Sequence, residues 1–569
     1  MIIKQLSKRS PLFKLFGAGL FLSTFIFSCS FPKEQANKSK HAMVVSAHPL
    51  ASEIGLQIIK NGGNAVDAAV AVQFALAVVY PSAGNIGGGG FFVYRSNGGE
   101  CSTLDFREKA PLNAQRDMYL DTLGNVVDNL SLIGHLAVGV PGTVDGMVTI
   151  HEKYGRLSWE KVIQPSIDLA NNGFVLTEKQ ARNLNYFNKS KLNFNDYNPY
   201  FKDTYNKGDT LLLRDLGNTL IQIREHKREG FYKGVVADQI VEEMQKNNGL
   251  IDHDDLESYR SVWREPIVFP YKKYNIITMG PPSSGGIVLA QLMKMTSIFD
   301  VAEMGFHSHS SVHLMSEIER RAFADRSKYL GDPDFYDIPQ DQLLDSIYLI
   351  KRLNNINLSH ATPSDSVHPG ELLFEESDET THFSIVDEDG NAVSITTTLN
   401  GSYGSGVIVD GAGFLLNNEM DDFSIKPGYP NLYGLIGGEA NAIAPEKRML
   451  SSMTPSIVEK NDSLYLVVGS PGGSAIITAV YQTLLNVIEF EMSIDSAVNS
   501  PRFHHQWKPD QIKMEQSLSK NQMLIDALKN YGHHIKYVSS MNRVDAILVK
   551  NDSLFGGADR RGDDFAAGY

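Results

Sequence analysis

The stretch Asp378-Glu379-Thr380-Thr381-His382-Phe383-Ser384-Ile385-Val386-Asp387 leads from a polar, acidic segment into a run of β-branched and aromatic residues. Glu388-Asp389-Gly390-Asn391 follows, and then Ala392-Val393-Ser394-Ile395-Thr396-Thr397-Thr398-Leu399. Two strand-like runs joined by a short glycine-containing loop read as a β-hairpin, with Gly390 in the left-handed position of a three-residue loop. That loop pairs Asp387 with Asn391, and counting back along both runs sets Thr380 opposite Thr398. A slip of one residue would turn every side chain to the other face, so the facing threonines depend on this turn. Threonine suits strands in any case, and the pair alone assigns no chemistry.

Two segments further along add to it. Phe414-Leu415-Leu416-Asn417-Asn418-Glu419-Met420-Asp421-Asp422-Phe423 ends an apolar run in a cluster of amides and acids. Val467-Val468-Gly469-Ser470-Pro471-Gly472-Gly473-Ser474 is a strand entering a glycine-rich turn before an apolar helix. Backbone N–H groups at such a turn can hold an anion or an oxyanion, although a glycine pair also serves a plain tight turn.

The whole chain bounds what this site can belong to. It has 569 residues, 42% apolar and 21% charged, a composition ordinary for a globular protein and incompatible with wholesale disorder. A net charge of −14 disfavours nucleic acid as a partner, because phosphate neutralisation needs a basic surface. Two cysteines exclude a disulfide scaffold or a four-cysteine zinc site. Lys4, Lys8, Arg9 and Lys14 precede the apolar run Leu15–Phe27, which is too short to span a bilayer and reads as an export signal. Its end, Ile26-Phe27-Ser28-Cys29, resembles a bacterial lipoprotein signal with Cys29 as the lipidated residue. Residues 1–28 are therefore expected to be a signal peptide and 29–41 a polar tether, placing the body in the cell envelope, in the periplasm or tethered to a membrane.

The mature chain divides by pattern. Ala51–Lys60 and Asn64–Tyr80 read as helices around a Gly62-Gly63 break, the second apolar nearly all round and so buried. Phe91–Tyr94 and Ser102–Phe106 read as strands, residues 158–250 as helices with polar connections, and Val312–Leu330 as a long helix. From Thr381 onward strands dominate. Segregated strands and helices predict an α+β fold of stacked layers rather than strict βαβ alternation.

Taken together the motifs resemble those of the γ-glutamyltranspeptidase (glutathione hydrolase) family. The resemblance runs through Ser46–Pro49, Asn61–Ala69, Pro81–Gly90, Asp105–Pro111, Gly139–Gly142, Gly280–Gly286, Thr380-Thr-His382, Asn417–Phe423, Ser451–Pro455, Gly469–Gly473 and Pro501–Gln506. It implies an N-terminal-nucleophile hydrolase: a four-layer αββα sandwich made as one precursor that cuts itself between Glu379 and Thr380. The products would be a large subunit, residues 42–379, and a small subunit, residues 380–569, held as a heterodimer. The chemical need for the cut can be stated independently. A threonine hydroxyl requires an adjacent base, and cleavage frees an α-amine of pKa about 8 to serve as one.

Carried over position by position, the resemblance implies Thr380 as nucleophile, Thr398 as the hydroxyl orienting it, and Gly472 and Gly473 as oxyanion donors. Arg107, Ser451 and Ser452 would hold the donor's α-carboxylate, and Asn400, Glu419 and Asp422 its α-ammonium. Many bacterial members have Gln where this chain has Glu419. Tyr433, within Pro427–Gly438, resembles a lid residue over the bound γ-glutamyl group, which argues against a broad acylase. The implied donor is glutathione or a related γ-glutamyl compound, the acceptor water or an amino acid or peptide, and no cofactor is implied.

Competing signals are weaker. His307, His309 and His313 have ligand-like spacing but no accompanying HExxH, so no metal is expected. Ser158-Trp-Glu-Lys161 matches S-x-x-K without a following KTG and fits a helix N-cap. Gly87–Gly90 lacks the Lys-Ser/Thr of a phosphate loop and suits chain packing. A β-lactam side-chain (glutaryl) acylase of the same superfamily, or a catalytically silent envelope binding protein, are the alternatives to a γ-glutamyl transferase/hydrolase.

Overall fold

Thr381–Val386 and Ala392–Thr398 form the expected hairpin, with Thr381 facing Thr397 and Val386 facing Ala392. Asp387 N–H donates to the Asn391 carbonyl at 3.1 Å, and Gly390 has φ +83°. This register continues to Thr380 opposite Thr398. The computed structural model describes residues 37–190, 195, 198–200, 202–368, 380–426 and 428–569. Cys29, the signal range 1–28, Glu379 and Pro427 lie outside the described residues.

Among the described residues the hairpin sits in the middle of a seven-stranded antiparallel sheet. Its order is Phe565–Gly568, Met43–Ser46, Thr381–Val386, Ala392–Thr398, Gly89–Arg95, Cys101–Asp105 and Val262–Arg264. A second antiparallel sheet runs Asn37–Ser39, Leu554–Gly557, Asp545–Val549, Ser463–Gly469, Ser456–Lys460, Tyr274–Thr278 and Ile267–Tyr271. The two face each other across a thin apolar seam that includes Val45, Val93, Ile277, Val386, Ile457, Val467 and Ile547.

Helices cover both outer faces, completing the four layers. On the first sheet lie Pro49–Lys60 and Ala65–Val79, the latter buried at all 15 positions, as its all-round apolar sequence requires. Asn64 and Asp67 form a capping box at its start. On the second sheet lie Gly285–Thr296, His309–Tyr329 and Ala475–Ile488. Because helices cover one face and a second sheet the other, the central strands are buried on both sides, and several of their polar side chains find partners inside. His382 lies against Thr396 Oγ1 at 2.9 Å and Ser384 Oγ at 3.0 Å.

The range assigned to the tether, 29–41, runs into the fold. Asn37–Ser39 is an edge strand paired with Leu554–Gly556. Three polar residues carry no strand pattern of their own, and the pairing comes from the unsatisfied edge they meet.

Candidate active site

Thr380 stands at the start of the central hairpin, on the same face as His382 and Ser384, where the two sheets meet. Thr398 ends the partner strand, and its Oγ1 accepts the Asn400 N–H at 2.7 Å. The glycine run at 87–90 backs this strand end. A Cβ on Gly88 would lie 2.0 Å from the Thr398 carbonyl oxygen, so only glycine lets the two chains touch there. Thr380 is 4% exposed and Thr398 2%.

From the facing sheet, the strand Ser463–Gly469 delivers Gly472 and Gly473 beside Thr380. Both have positive φ, +112° and +54°, a conformation glycine adopts at little cost. Asn542 holds this turn: its Nδ2 donates to the Pro471 carbonyl at 2.7 Å and the Gly472 carbonyl at 3.1 Å. Arg502 donates in turn to the Asn542 carbonyl at 3.2 Å and pairs with Asp559 at 2.9 Å.

One cavity collects Thr380, Thr398, Asn400, Glu419, Asp422, Tyr433, Ser451, Ser452, Gly473 and Arg107, together with Arg326, Leu435, Met453 and Ile476. Gly472 faces an adjoining cavity that also reaches Thr380 and is lined by Lys179, Asn542 and Arg543. The residues expected at the active site therefore line two cavities that share Thr380, with Gly472 in the second.

The charges in the first cavity neutralise one another. Arg107, 1% exposed, donates from Nη2 to Asp422 Oδ2 at 2.5 Å, and its Nη1 lies 2.8 Å from Glu419 Oε2 and 3.6 Å from Glu108 Oε2. Arg326 donates to Ser284 Oγ at 2.8 Å and to Ser452 Oγ at 3.0 Å. Ser284 Oγ donates to the Ser451 carbonyl at 2.6 Å, which ties the two cavity serines to the long helix carrying Arg326. Three carboxyls thus face two guanidiniums. Burial raises all three carboxyls, against the opposing pull of Arg107, with Glu108 at about 7 and Glu419 well above its usual value. Burial thus disfavours three simultaneous negative charges beside Arg107, and Asp422 is the carboxylate hydrogen-bonded to that guanidinium.

Tyr433 closes the cavity. Its hydroxyl donates to the Asn400 carbonyl at 2.7 Å, and it is 4% exposed. Asn400 is held at φ +67° and donates from Nδ2 to the Asn418 carbonyl at 2.9 Å. Its buried Oδ1 has no hydrogen-bond partner among the described residues.

The γ-glutamyltranspeptidase family model matches residues 51–569, nearly the whole described chain. This chain belongs to the γ-glutamyltranspeptidase family. A glutathione hydrolase proenzyme of Escherichia coli K12 is 45% identical over 538 residues, covering 94% of this chain and 92% of that protein. The γ-glutamyltranspeptidase structure of Helicobacter pylori is 46% identical, with TM-score 0.55, over 57% of this chain and 94% of that one. A cephalosporin acylase structure from Bacillus halodurans is 27% identical, with TM-score 0.83, over 95% of this chain and 98% of that one. The transpeptidase family membership makes the protein an enzyme, and the sandwich is that of N-terminal-nucleophile hydrolases.

Sequence reading missed Arg326 and Asn542 as parts of this site. Arg326 sits in a charged helix stretch, Glu319-Arg320-Arg321-Ala322-Phe323-Ala324-Asp325-Arg326, where one cation among several has no distinguishing spacing. Asn542 acts through a loop 70 residues from the turn it holds. Of the three spaced histidines only His313 joins a ligand-like group, with Glu317 and His533. His313 Nδ1 lies 2.7 Å from His533 Nε2, a hydrogen-bond distance, and Glu317 is paired with Arg320 and Arg321. That cluster is a hydrogen-bonded core network; His504, bonded to Thr478 and Gln506, and His505, whose Nδ1 accepts the Trp507 N–H, are buried as well.

Proposed function

We propose that this protein is a self-processing γ-glutamyl transferase/hydrolase acting on glutathione and related γ-glutamyl amides, as a two-subunit enzyme cut from one precursor. The observation that carries the reading is the convergence of Thr380, Thr398, Arg107, Asn400, Asp422, Ser451, Ser452 and Tyr433 on one cavity. In processing, Thr380 Oγ attacks the Glu379 carbonyl, the Glu379–Thr380 C–N bond breaks, and an ester forms as the α-amine is released. Water opens the ester, leaving a carboxylate on Glu379 and a free hydroxyl on Thr380.

In turnover the freed amine takes the Thr380 hydroxyl proton as Oγ adds to the γ-carbonyl of the donor. Gly472 and Gly473 N–H groups receive the developing oxyanion. The amine then protonates the departing amino group, and water or an acceptor amine resolves the γ-glutamyl ester. At the other end of the donor, Arg107, Ser451 and Ser452 take the α-carboxylate. Asp422, Glu419 and the Asn400 Oδ1 take the α-ammonium. A zwitterion suits this cluster because it brings one charge of each sign to groups that otherwise pair with each other. Turnover of a chromogenic γ-glutamyl anilide, with and without a dipeptide acceptor, tests the reading, and no release of the chromophore by processed protein would refute it.

From the sequence of residues 1–29 we also propose export and lipid anchoring through Cys29. Replacing Cys29 with Ser should abolish lipid labelling; unchanged membrane association would defeat the anchor.

A further inference from the structure

The loop that carries Tyr433 is fastened to the two adjacent carboxylates of the Glu419–Asp422 turn. Leu432 N–H donates to Asp421 Oδ2 at 2.5 Å, and Ser131 Oγ donates to Asp421 Oδ1 at 2.6 Å. Asn431 makes the second fastening and uses both ends of its amide. Its Oδ1 accepts the Tyr433 N–H at 2.9 Å and the Leu435 N–H at 3.0 Å, and its Nδ2 donates to Asp422 Oδ1 at 2.9 Å. Asp422 Oδ2 is the oxygen that receives Arg107. Both oxygens of one carboxylate are therefore engaged, one by the charge network of the cavity and the other by the loop above it.

We infer that Asn431 is a positioning residue that couples Asp422 to the Tyr433 lid, so that the lid seats over the donor only while the Asp422 carboxylate is held in its present orientation. The inference rests on the γ-glutamyl reading of the cavity. It gives one carboxylate two jobs. Asp422 recognises the donor's ammonium, and the same group, through the Asn431 amide, sets where Tyr433 closes. A donor without an α-ammonium then loses both the ion pair and a properly seated lid.

The asymmetry of the asparagine amide supplies the test. Asn431→Asp keeps the oxygen that accepts Tyr433 and Leu435 but replaces the donor to Asp422 with a second carboxylate oxygen. Asn431→Ala removes both functions, and Asn431→Ser retains a hydroxyl that can still donate. All three should process normally, since processing involves no external donor. With a γ-glutamyl anilide, Asn431→Asp should raise KM roughly tenfold or more, with a smaller change in kcat, and should be worse than Asn431→Ala. Asn431→Ser should fall between Ala and wild type.

A role confined to shaping the loop makes the opposite prediction. Asn431→Asp would then behave like wild type, and that result overturns the coupling. The pH profile separates the two again. As pH falls, the introduced carboxyl takes up a proton and can donate to Asp422, so kcat/KM relative to wild type should recover between about pH 8 and pH 5.5. Arg107 and Arg326, which face Asp422, stay charged throughout. Glu108, Glu419, Asp421 and Asp422 itself are the other titrating neighbours; wild type has them too, so the ratio isolates what the introduced carboxyl adds, directly or by raising theirs. A ratio flat with pH counts against the coupling. Should Asn431→Asp fail to fold, Ser and Ala with equal KM would do the same. A wild-type enzyme that does not turn over the anilide sinks the γ-glutamyl reading and this inference with it, whereas an active wild type with indifferent variants sinks this inference alone.

Discussion

Arg107 and Asp422 meet at 2.5 Å across 315 residues of sequence, one on each side of the Glu379–Thr380 bond. The donor cavity is thus assembled from both chains that cleavage would leave, and its charges are matched between them. Asp422→Ala should strand the donor ammonium and leave Arg107 with Glu419 as its remaining close partner, costing about 2–5 kcal/mol in kcat/KM by analogy with truncated buried charge pairs. Arg107→Lys should raise KM, because a point charge cannot reproduce the forked guanidinium contacts. The sharper measurement compares a γ-glutamyl amide with the matching glutaryl amide. Equal kcat/KM for the two would move the enzyme towards the acylases.

Maturation should follow the hydroxyl. Wild-type protein is expected to run as two chains, the smaller of about 190 residues beginning at Thr380. Thr380→Ala should stay a single chain, and N-terminal sequencing of the small chain reads the cut directly. A start at any other residue would contradict the nucleophile assignment.

The Pro471–Gly473 turn, proposed to receive the oxyanion, depends on a side chain outside it. Asn542→Ala removes both hydrogen bonds that hold the Pro471 and Gly472 carbonyls, so the N–H groups of the turn lose their fixed aim. We expect kcat to fall roughly 10-fold with KM little changed, less than the ~100–1000-fold typical of deleting a donor outright. Steady-state kinetics on processed enzyme checks this, and a pure KM effect would exclude the positioning role.

On the proposed mechanism the pH limb of activity should belong to the freed amine of Thr380. His382, two residues away, is the obvious rival base, but burial pushes its imidazole down to about 3 and its ring nitrogens are engaged by Thr396 and Ser384. It is neutral throughout the working range and cannot supply a titration near neutrality. Activity should therefore rise with pH through about 8. His382→Asn should leave that midpoint within roughly 0.3 of wild type, whatever it does to stability. A midpoint that moves with His382 would reassign the base.

The hairpin was legible because its turn chemistry is local: Gly390 and the Asp387–Asn391 closure set the register, and the register carries Thr380 to Thr398. The buried helix Ala65–Val79 was legible for the same kind of reason, an apolar pattern with no polar face. Arg326, Asn431 and Asn542 were not. Each acts through a partner that only the folded chain brings near, and each is a common residue type in an unremarkable local pattern. The first strand, Asn37–Ser39, went unread as well, since its pairing is decided by the edge it meets and not by its own side chains. The pairing of Arg107 with the acids expected to serve the ammonium also lay beyond sequence, because spacing names charges without saying which face one another.

The strand order of the two sheets has a mechanical meaning for the cut protein. Reading across the first sheet, strands from after the cut alternate with strands from before it: Phe565–Gly568, then Met43–Ser46, then the Thr381–Thr398 hairpin, then Gly89–Arg95. In the second sheet the late strands are clamped between Asn37–Ser39 and Tyr274–Thr278. The two pieces cannot slide apart along a flat interface, because pulling either one out tears ladders in the middle of both sheets. Breaking the Glu379–Thr380 bond, as proposed, should therefore leave a dimer that does not dissociate on dilution. Separation should demand the same denaturant as global unfolding, and recombining isolated pieces would have to rebuild long-range ladders without the covalent continuity that first brought their strands into order.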